Sequence, residues 1–269
     1  MATILMPIPN SDFDPTETAV PWKILRDRGH TVVFATPNGG PGHADPRMVT
    51  GEGLGILAPF LRANANARRT YQEMEQSSEF KNPISYGEIQ RKTFDAILLP
   101  GGHAPGTREY LESTLLQTKV AEMAQQDKPI GAICHGVLVA ARSRTAAGVS
   151  VLSGKKTTAL TKPLELIAWR LTRIRLGNYY RTYPQTTVED EVKQTLASPQ
   201  NFLRGPLAVT RDSPTNLAAG FTVLDGRYLS ARWPGDAHRF GTEFAELVEA
   251  MRGLAAADRS PLDVLQHSA

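Results

Sequence analysis

The first half of the chain alternates short apolar runs with longer helical patterns. The runs TILMPIP, TVVFATP, FDAILLPGG and KPIGAIC are separated by stretches with helix start and stop signals. In DPTETAVPWKILRDRGH, for example, Asp14 is a typical N-cap, Pro15 suits the first turn, and Gly29 ends the helix. Strands joined by single helices indicate a parallel sheet with helices on both faces. The sequence therefore predicts an α/β fold built on a mostly parallel sheet.

The remaining segments are less regular. Residues 38–56 contain six glycines and predict a long loop. TREYLESTLLQTKVAEMAQQD, which follows PGGHAPG, is interpreted as one amphipathic helix. GKKTTAL is interpreted as a strand, VEDEVKQTL as a helix, and FTVLDGRYLSA as a hairpin around Asp225 and Gly226. A final helix is expected at about 236–251. We expect one domain over residues 1–269, with insertions at about 38–90 and 163–205.

Composition excludes several classes of protein. A chain of 269 residues can bury a large core without disulfides or metals, and its single cysteine cannot form an intramolecular disulfide. A net charge of +3 is too small and too dispersed to indicate nucleic-acid binding. The start MATILMPIPNSD predicts a first strand rather than a signal peptide, and no apolar run is long enough to span a membrane. We expect a cytoplasmic protein with neither nucleic acid nor membrane as a partner.

The single cysteine, Cys134, lies in IGAICHGVLVAAR, where a strand runs directly into a helix. Functional sites of parallel sheets lie at the carboxyl ends of the strands. A sharp turn there can present the thiol above a helix N-terminus, which favours the thiolate and lowers the cysteine pKa. The alternative is a structural thiol, because cysteine is among the most frequently buried residues. The local pattern leaves both interpretations open.

Two further segments end at the same predicted edge of the sheet. The glycines of PGGHAPG, residues 100–106, let backbone amides approach a ligand, as an oxyanion hole requires, although the segment is also an ordinary turn. Glu17 lies in the first turn of the first predicted helix, where a carboxylate is usually a solvated helix-start residue. Each segment alone is weak evidence for a site.

Taken together, the ordered motifs resemble the DJ-1/ThiJ/PfpI superfamily, in particular its branch of heat-shock-type chaperones with glutathione-independent glyoxalase (glyoxalase III) activity. GAICHG resembles the nucleophile elbow, and FDAILLPGGHAP resembles the glycine loop of the oxyanion hole. TETAVPWKILRDRGHTVVFATP, GKKTTALTKPLELIA, TVEDEV and VLDGRYLSARWPGDA are similar to other family blocks, so the resemblance covers most of the chain. It implies a flavodoxin-like, doubly wound fold with small inserted cap segments, and a homodimer.

The resemblance also implies catalytic roles. Cys134 would be the nucleophile, His135 its partner, Glu165 the residue that orients the histidine, and Glu17 an acid/base group bonded to the thiol. A carboxyl group beside a thiolate should have a raised pKa and stay protonated near neutral pH, so that it can shuttle a proton. The oxyanion hole would be formed by amides near Gly102 and His135. The remaining substrate-binding positions implied are Gly101, His103, Gly136 and Trp233.

The implied activity is the conversion of 2-oxoaldehydes such as methylglyoxal to 2-hydroxy acids, without a cofactor or a metal. Deglycation or hydrolysis by the same thiolate is an alternative, and so is a non-enzymatic role as a holdase chaperone or an oxidation sensor. Class I glutamine amidotransferases share the elbow but need a late His-x-Glu pair. Here the corresponding residues are His238, Arg239 and Phe240, which argues against amide hydrolysis.

The chain departs from the family pattern in two places. An Asn-Pro pair is usual in the last block, where this chain has Trp233 and Pro234. Residues 168–181 are longer and more basic than in many relatives, with no acidic residue between Glu165 and Glu189. This segment is predicted to border the active site and to select a larger or anionic substrate. The alternative is a solvated helix face or a dimer contact.

Overall fold

The structure is a computed structural model that describes residues 1–207 and 210–263. Its strands are β1 Thr3–Pro7, β2 Ser11–Phe13, β3 Thr31–Thr36, β4 His43–Ala44, β5 Ile84–Ser85, β6 Ala96–Leu99, β7 Ile130–Ile133, β8 Thr222–Asp225 and β9 Tyr228–Ala231. Seven of them form one sheet in the order β5-β3-β1-β6-β7-β9-β8, while β2 and β4 form a small separate sheet. In the main sheet every pair is parallel except the β8–β9 hairpin.

Helices cover both faces of this sheet. They are α1 Pro15–Asp27, α2 Pro46–Thr50, α3 Ala58–Leu61, α4 Ala65–Gln76, α5 Ser78–Lys81, α6 Tyr86–Ile89, α7 Arg108–Leu111, α8 Thr114–Gln125, α9 Val137–Arg142, α10 Lys162–Leu176, α11 Val188–Thr195 and α12 Ala237–Asp263. Alternate residues of a strand face opposite cores: Ile4 and Met6 pack with residues of α1 and α12, and Leu5 packs with residues of α8 and α9. This arrangement confirms the predicted doubly wound α/β fold.

Most of the predicted elements are present, including the α1 cap. The Asp14 side chain accepts hydrogen bonds from the Thr16 and Glu17 amides and starts α1. The predicted hairpin is formed by β8 and β9. The last helix begins at Ala237, near the predicted start, and continues beyond the predicted end.

Three local predictions are wrong. Residues 38–56 are not a plain loop, because they contain β4 and α2. GKKTTAL is not a strand. Its Thr158 amide bonds to the Ser230 side chain, and Thr157 forms only an isolated bridge with Phe202. The single helix expected after PGGHAPG is divided into α7 and α8, because the Ser113 side chain caps a new helix start.

Helices α3 and α10, which belong to the two predicted insertions, both reach the cavity at the carboxyl edge of the sheet. In the described part of the chain, none of the helices combines the length and the apolar character needed to cross a membrane.

Candidate active site

The Cys134 backbone has a left-handed conformation, with φ at +57°. It follows β7 directly and begins a short 3-10 helix, Cys134–Gly136, that leads into α9. A non-glycine residue in this region is strained by about 1–3 kcal/mol, and such strain is concentrated at functional sites. Gly136 makes the turn possible, since a Cβ atom there would collide with the Leu99 and Pro100 carbonyl oxygens. The turn is therefore the predicted strand-to-helix elbow.

The neighbouring imidazole, on His135, has its two nitrogens in different environments. Nδ1 lies 3.5 Å from the Cys134 Sγ atom, and Nε2 lies 3.1 Å from the Thr182 hydroxyl oxygen. The Thr182 hydroxyl donates its proton to the His103 carbonyl oxygen at 2.6 Å, so it must accept from Nε2–H. This bond fixes the tautomer in which Nδ1 is unprotonated and faces the thiol. The Nδ1 atom of His135 can therefore accept a hydrogen bond from the Cys134 thiol.

The His135 ring is neutral at physiological pH. Burial, together with the nearby His103 and Arg142, lowers the His135 pKa to about 3. The thiol is thus paired with an uncharged imidazole rather than with an imidazolium ion.

Glu165 does not hold the position that the resemblance implies. Its Oε1 atom lies 3.1 Å from Arg181 Nε, and its Oε2 accepts the Val188 amide at 2.9 Å. The residue bonded to the imidazole is Thr182 instead. Glu165 still lines the same cavity, and burial raises its pKa to about 7. Thr182 could not be identified from the sequence, because it lies in an irregular segment and belongs to no recognisable motif.

The Glu17 carboxyl group is fully buried next to the elbow. A Cβ atom at Gly101 would collide with it and would lie 2.9 Å from the Cys134 Cβ atom, so glycine is required there. Burial and the nearby Asp14 raise the Glu17 pKa well above its usual value, while the Cys134 thiol and the Gly101 amide lower that pKa in part. The thiol and the amide are near the Glu17 carboxyl but do not form hydrogen bonds with it. Both carboxyl oxygens therefore lack a hydrogen-bond partner among the described residues. The environment of Glu17 therefore favours the protonated carboxyl.

The expectation of a lowered Cys134 pKa is wrong. Burial, followed by the nearby Glu17 and Asp14 carboxyl groups, raises the pKa of this thiol, although the His135 amide offsets part of the effect. The expected decrease relied on the N-terminus of the following helix, but α9 has only six residues. The burial of the thiol, which acts in the opposite direction, depends on tertiary packing and is not visible in the local sequence. Burial therefore favours the thiol form of Cys134 over the thiolate.

A cavity of about 170 Å³ contains these groups. Its walls are mainly apolar and come largely from α3 and α10, with Phe60, Leu61, Leu164, Ile167 and Leu171. Its polar lining includes Gly102, His103, Tyr180, Arg211 and Trp233. Of the expected substrate-binding positions, Gly102, His103 and Trp233 thus line the cavity. Gly101 packs between Glu17 and Cys134, and Gly136 serves the turn.

Helix α10 borders this cavity, but its arginines do not line it. Arg173 is exposed and lies over the Trp169 ring, with Cζ 5.2 Å from the ring centroid. Arg175 is also exposed, and Arg181 pairs with Glu165. The segment therefore presents apolar side chains to the cavity and its basic side chains elsewhere.

Comparisons with known proteins agree with this fold. A family model described as ThiJ/PfpI family-like matches residues 8–202. An uncharacterized protein of Schizosaccharomyces pombe is 28% identical over 43% of this chain, which spans 42% of that relative. A deglycase of Thermococcus kodakarensis is 26% identical over 73% of this chain and 93% of its own. The crystal structure of glyoxalase III from Candida albicans, 20% identical, superposes with a TM-score of 0.63 and covers 93% of this chain and 96% of that one.

Replacing Thr182 with valine should slow alkylation of Cys134 by iodoacetamide at neutral pH. The loss of one hydrogen bond, about 0.5–1.5 kcal/mol, lets Nδ1 carry the proton in part of the population, so we expect a decrease of up to about tenfold. Thr182→Ser should react as fast as the wild type, and ¹⁵N NMR should detect the altered His135 tautomer only in the valine variant. Equal alkylation rates in both variants would remove Thr182 from the site.

The pH dependence of Cys134 alkylation tests the electrostatics of the site. We expect an inflection above about 8.5, the value of a free thiol, because burial disfavours the thiolate. Glu17→Gln should move the inflection to lower pH, since a neighbouring carboxylate opposes thiolate formation. Glu165→Gln is the matched control, because that carboxyl is ion-paired with Arg181, and it should leave the inflection unchanged. An inflection that rises in Glu17→Gln would contradict the assignment.

Proposed function

This chain belongs to the ThiJ/PfpI family of the DJ-1 superfamily, and from this premise we propose that it is a cysteine-dependent, glutathione-independent glyoxalase. Its substrates would be 2-oxoaldehydes such as methylglyoxal, and its products 2-hydroxy acids. The family includes deglycases and a glyoxalase III, so an enzymatic activity is expected of its members. The proposed site residues are Cys134, His135, Thr182 and Glu17.

One observation carries the proposal: a thiol, a neutral imidazole and a protonated carboxyl meet in one apolar cavity. Formation of a hemithioacetal needs a nucleophile and a base, and isomerisation then needs a group that moves a proton between adjacent carbons. Cys134, the Nδ1 atom of His135 and the Glu17 carboxyl are suited to these three tasks. The chemistry requires no further group.

In the proposed first step, the Cys134 sulfur bonds to the aldehyde carbon. The thiol proton goes to His135 Nδ1, while the former carbonyl oxygen receives a proton from Glu17. In this proposal, the Gly102 and His135 amides stabilise negative charge on that oxygen. The product of this step is an uncharged hemithioacetal beside the Glu17 carboxylate and the protonated imidazole.

In the second step, the Glu17 carboxylate removes the proton from the hemithioacetal carbon while the protonated His135 imidazole gives its proton to the ketone oxygen, which yields an enediol and a neutral His135. Glu17 returns this proton to the neighbouring carbon and takes up the proton of the first hydroxyl group, so the former ketone becomes an alcohol, the first carbon becomes a thioester, and Glu17 is protonated again. Water then hydrolyses the thioester, which releases the 2-hydroxy acid and restores the Cys134 thiol. The net reaction adds one water molecule and needs no redox partner.

Steady-state turnover of methylglyoxal tests this proposal. Cys134→Ala should be inactive, and Glu17→Gln should lose about 100- to 10,000-fold in kcat with little change in melting temperature. Glu73→Gln, which removes a half-exposed carboxyl on the outer surface of α4, is the matched control and should retain full activity. If the wild type acts only on methylglyoxal adducts of amino acids, the enzyme is a deglycase instead, and near-normal turnover by Glu17→Gln would exclude the proton shuttle.

A second candidate function, a holdase chaperone, is favoured by an exposed apolar strip beside the cavity. Ile167, Leu171 and Ile174 lie on one face of α10, and Ile56 and Phe60 lie one turn apart on the segment leading into α3. Phe60, Ile167 and Leu171 also line the cavity. Exposed apolar patches of this kind mark interaction sites, and apolar segments of unfolded chains would fit here.

Suppression of thermal aggregation of a client protein tests the holdase candidate. Ile174→Glu should reduce the suppression severalfold, because it places a charge within the strip, whereas Cys134→Ser should not reduce it. Val149→Glu is the matched control, since Val149 is an exposed apolar side chain that belongs to neither α3 nor α10 and does not line the cavity. Equal suppression by both glutamate variants, or no suppression by the wild type, would refute this candidate.

A further inference from the structure

Several buried polar atoms in the cavity wall have no partner among the described residues. Besides the Glu17 oxygens, they include Arg211 Nη1, Trp233 Nε1 and Tyr180 Oη. A buried polar group that lacks a hydrogen bond costs about 1–3 kcal/mol, so such groups are rare and call for an explanation. Three groups able to donate hydrogen bonds in one cavity indicate a ligand that supplies several acceptor atoms.

Arg211 provides positive charge to this cavity. In the described part of the chain, it is the only arginine or lysine in the cavity lining. Its Nη2 atom donates to the Phe60 and Arg62 carbonyl oxygens at 3.4 and 3.3 Å, whereas Nη1 has no partner within residues 1–207 and 210–263. Burial lowers the Arg211 pKa, with Asp14 and Glu17 acting in the opposite direction, yet a guanidinium group remains charged in proteins.

None of the nearby carboxyl groups neutralises Arg211 through a direct contact among the described residues. Asp14 accepts the amides that start α1, and Glu17 is protonated. Asp212 accepts from His238 Nδ1 at 3.0 Å and from the Arg239 amide at 2.8 Å. Because a buried charge without a partner is costly, an anion in the cavity would gain a strong interaction here.

The other two donors lie near the Arg211 guanidinium. Its Cζ atom is 5.4 Å from the centroid of the Trp233 ring. Tyr180 lines the same cavity as Arg211 and Trp233. The Tyr180 ring is held in place by stacking on His103, with ring centroids 4.4 Å apart. The three donors therefore belong to one region of the wall.

We propose that Arg211, Trp233 and Tyr180 form a carboxylate-binding subsite, and that the substrate is a 2-oxoaldehyde that carries a carboxylate on a short apolar chain. A carboxylate has about four acceptor positions and matches the guanidinium fork. The apolar chain would contact Phe60, Ile167 and Leu171. A dianionic phosphate fits less well, because Asp14 and Glu17 also face this cavity. The aldehyde part of this assignment rests on the proposed function, whereas the carboxylate part does not.

Direct binding to the Cys134→Ala protein tests the subsite without any turnover. The probes are 4-oxopentanoate and hexan-2-one, an uncharged ketone of similar length, and calorimetry measures both. We expect 4-oxopentanoate to bind at least tenfold more tightly than hexan-2-one. Arg211→Gln should abolish this preference while changing the affinity for hexan-2-one less than twofold. Arg173→Gln, which removes an exposed arginine on α10, is the matched control and should keep the preference.

Trp233→Phe provides a second test that leaves the charge in place. It should weaken the binding of 4-oxopentanoate by about threefold to tenfold and leave that of hexan-2-one unchanged. This variant decides the question if Arg211→Gln does not fold. Three results would overturn the subsite. The two probes could bind the Cys134→Ala protein with equal affinity, or the variants could lose affinity equally for both probes. Tighter binding of a phosphate-bearing ketone than of 4-oxopentanoate would also contradict it.

Turnover of the wild type separates this inference from the proposed function. With 4,5-dioxopentanoate, a 2-oxoaldehyde with a terminal carboxylate, kcat/KM should exceed that for methylglyoxal by at least tenfold, and Arg211→Gln should remove the difference. A carboxylate preference in binding without turnover of either aldehyde would refute the glyoxalase and keep the subsite. Turnover of both aldehydes with equal kcat/KM would keep the glyoxalase and refute the subsite.

Discussion

The close approach of two neighbouring loops at the carboxyl edge of the sheet is the constraint on which the site depends. Strands β6 and β7 pair in parallel, with Leu99 opposite Ala132, so the loops that follow them emerge side by side. Glycine is required at positions 101 and 136, because a Cβ atom at either position would collide with the other loop or with Glu17. This contact keeps the Cys134 backbone in its left-handed conformation, and the strain persists because the paired strands prevent relaxation.

The burial of the side chains at this edge of the sheet determines the protonation states of the site. The Cys134 thiol, the Glu17 carboxyl and the His135 imidazole are each buried, and in each case desolvation moves the pKa toward the uncharged form. The resting site therefore holds three neutral groups that can exchange protons with little movement. Charges develop only when a substrate accepts or supplies a proton. A neutral resting site of this kind suits an aldehyde substrate, whose reaction needs both an acid and a base.

The sequence predicted the elements whose signals are local, and it failed where tertiary packing decides. The parallel strands, the α1 cap and the turn at Cys134 follow from apolar runs, capping residues and glycines. Thr182 reaches His135 from 47 positions away, through an irregular segment, so no spacing rule could identify it. The role expected of Glu165 was wrong for the same reason, since its ion pair with Arg181 is a tertiary contact. The direction of the Cys134 pKa shift required the burial of the thiol, which only the packed structure provides.

The core of the fold and the inserted segments supply different parts of the site, and this explains where substrate specificity would arise. The elbow, the glycine loop and α1 supply the thiol, the amides and the carboxyl, and these elements belong to the core of the fold. The apolar walls come from α3 and α10, and Tyr180 and Thr182 lie just after α10. Trp233, which stands where the family usually has asparagine, adds to the same cavity a donor that has no partner among the described residues. Changes in these surrounding residues can therefore alter which carbonyl compound enters while the proton-transfer groups stay in place.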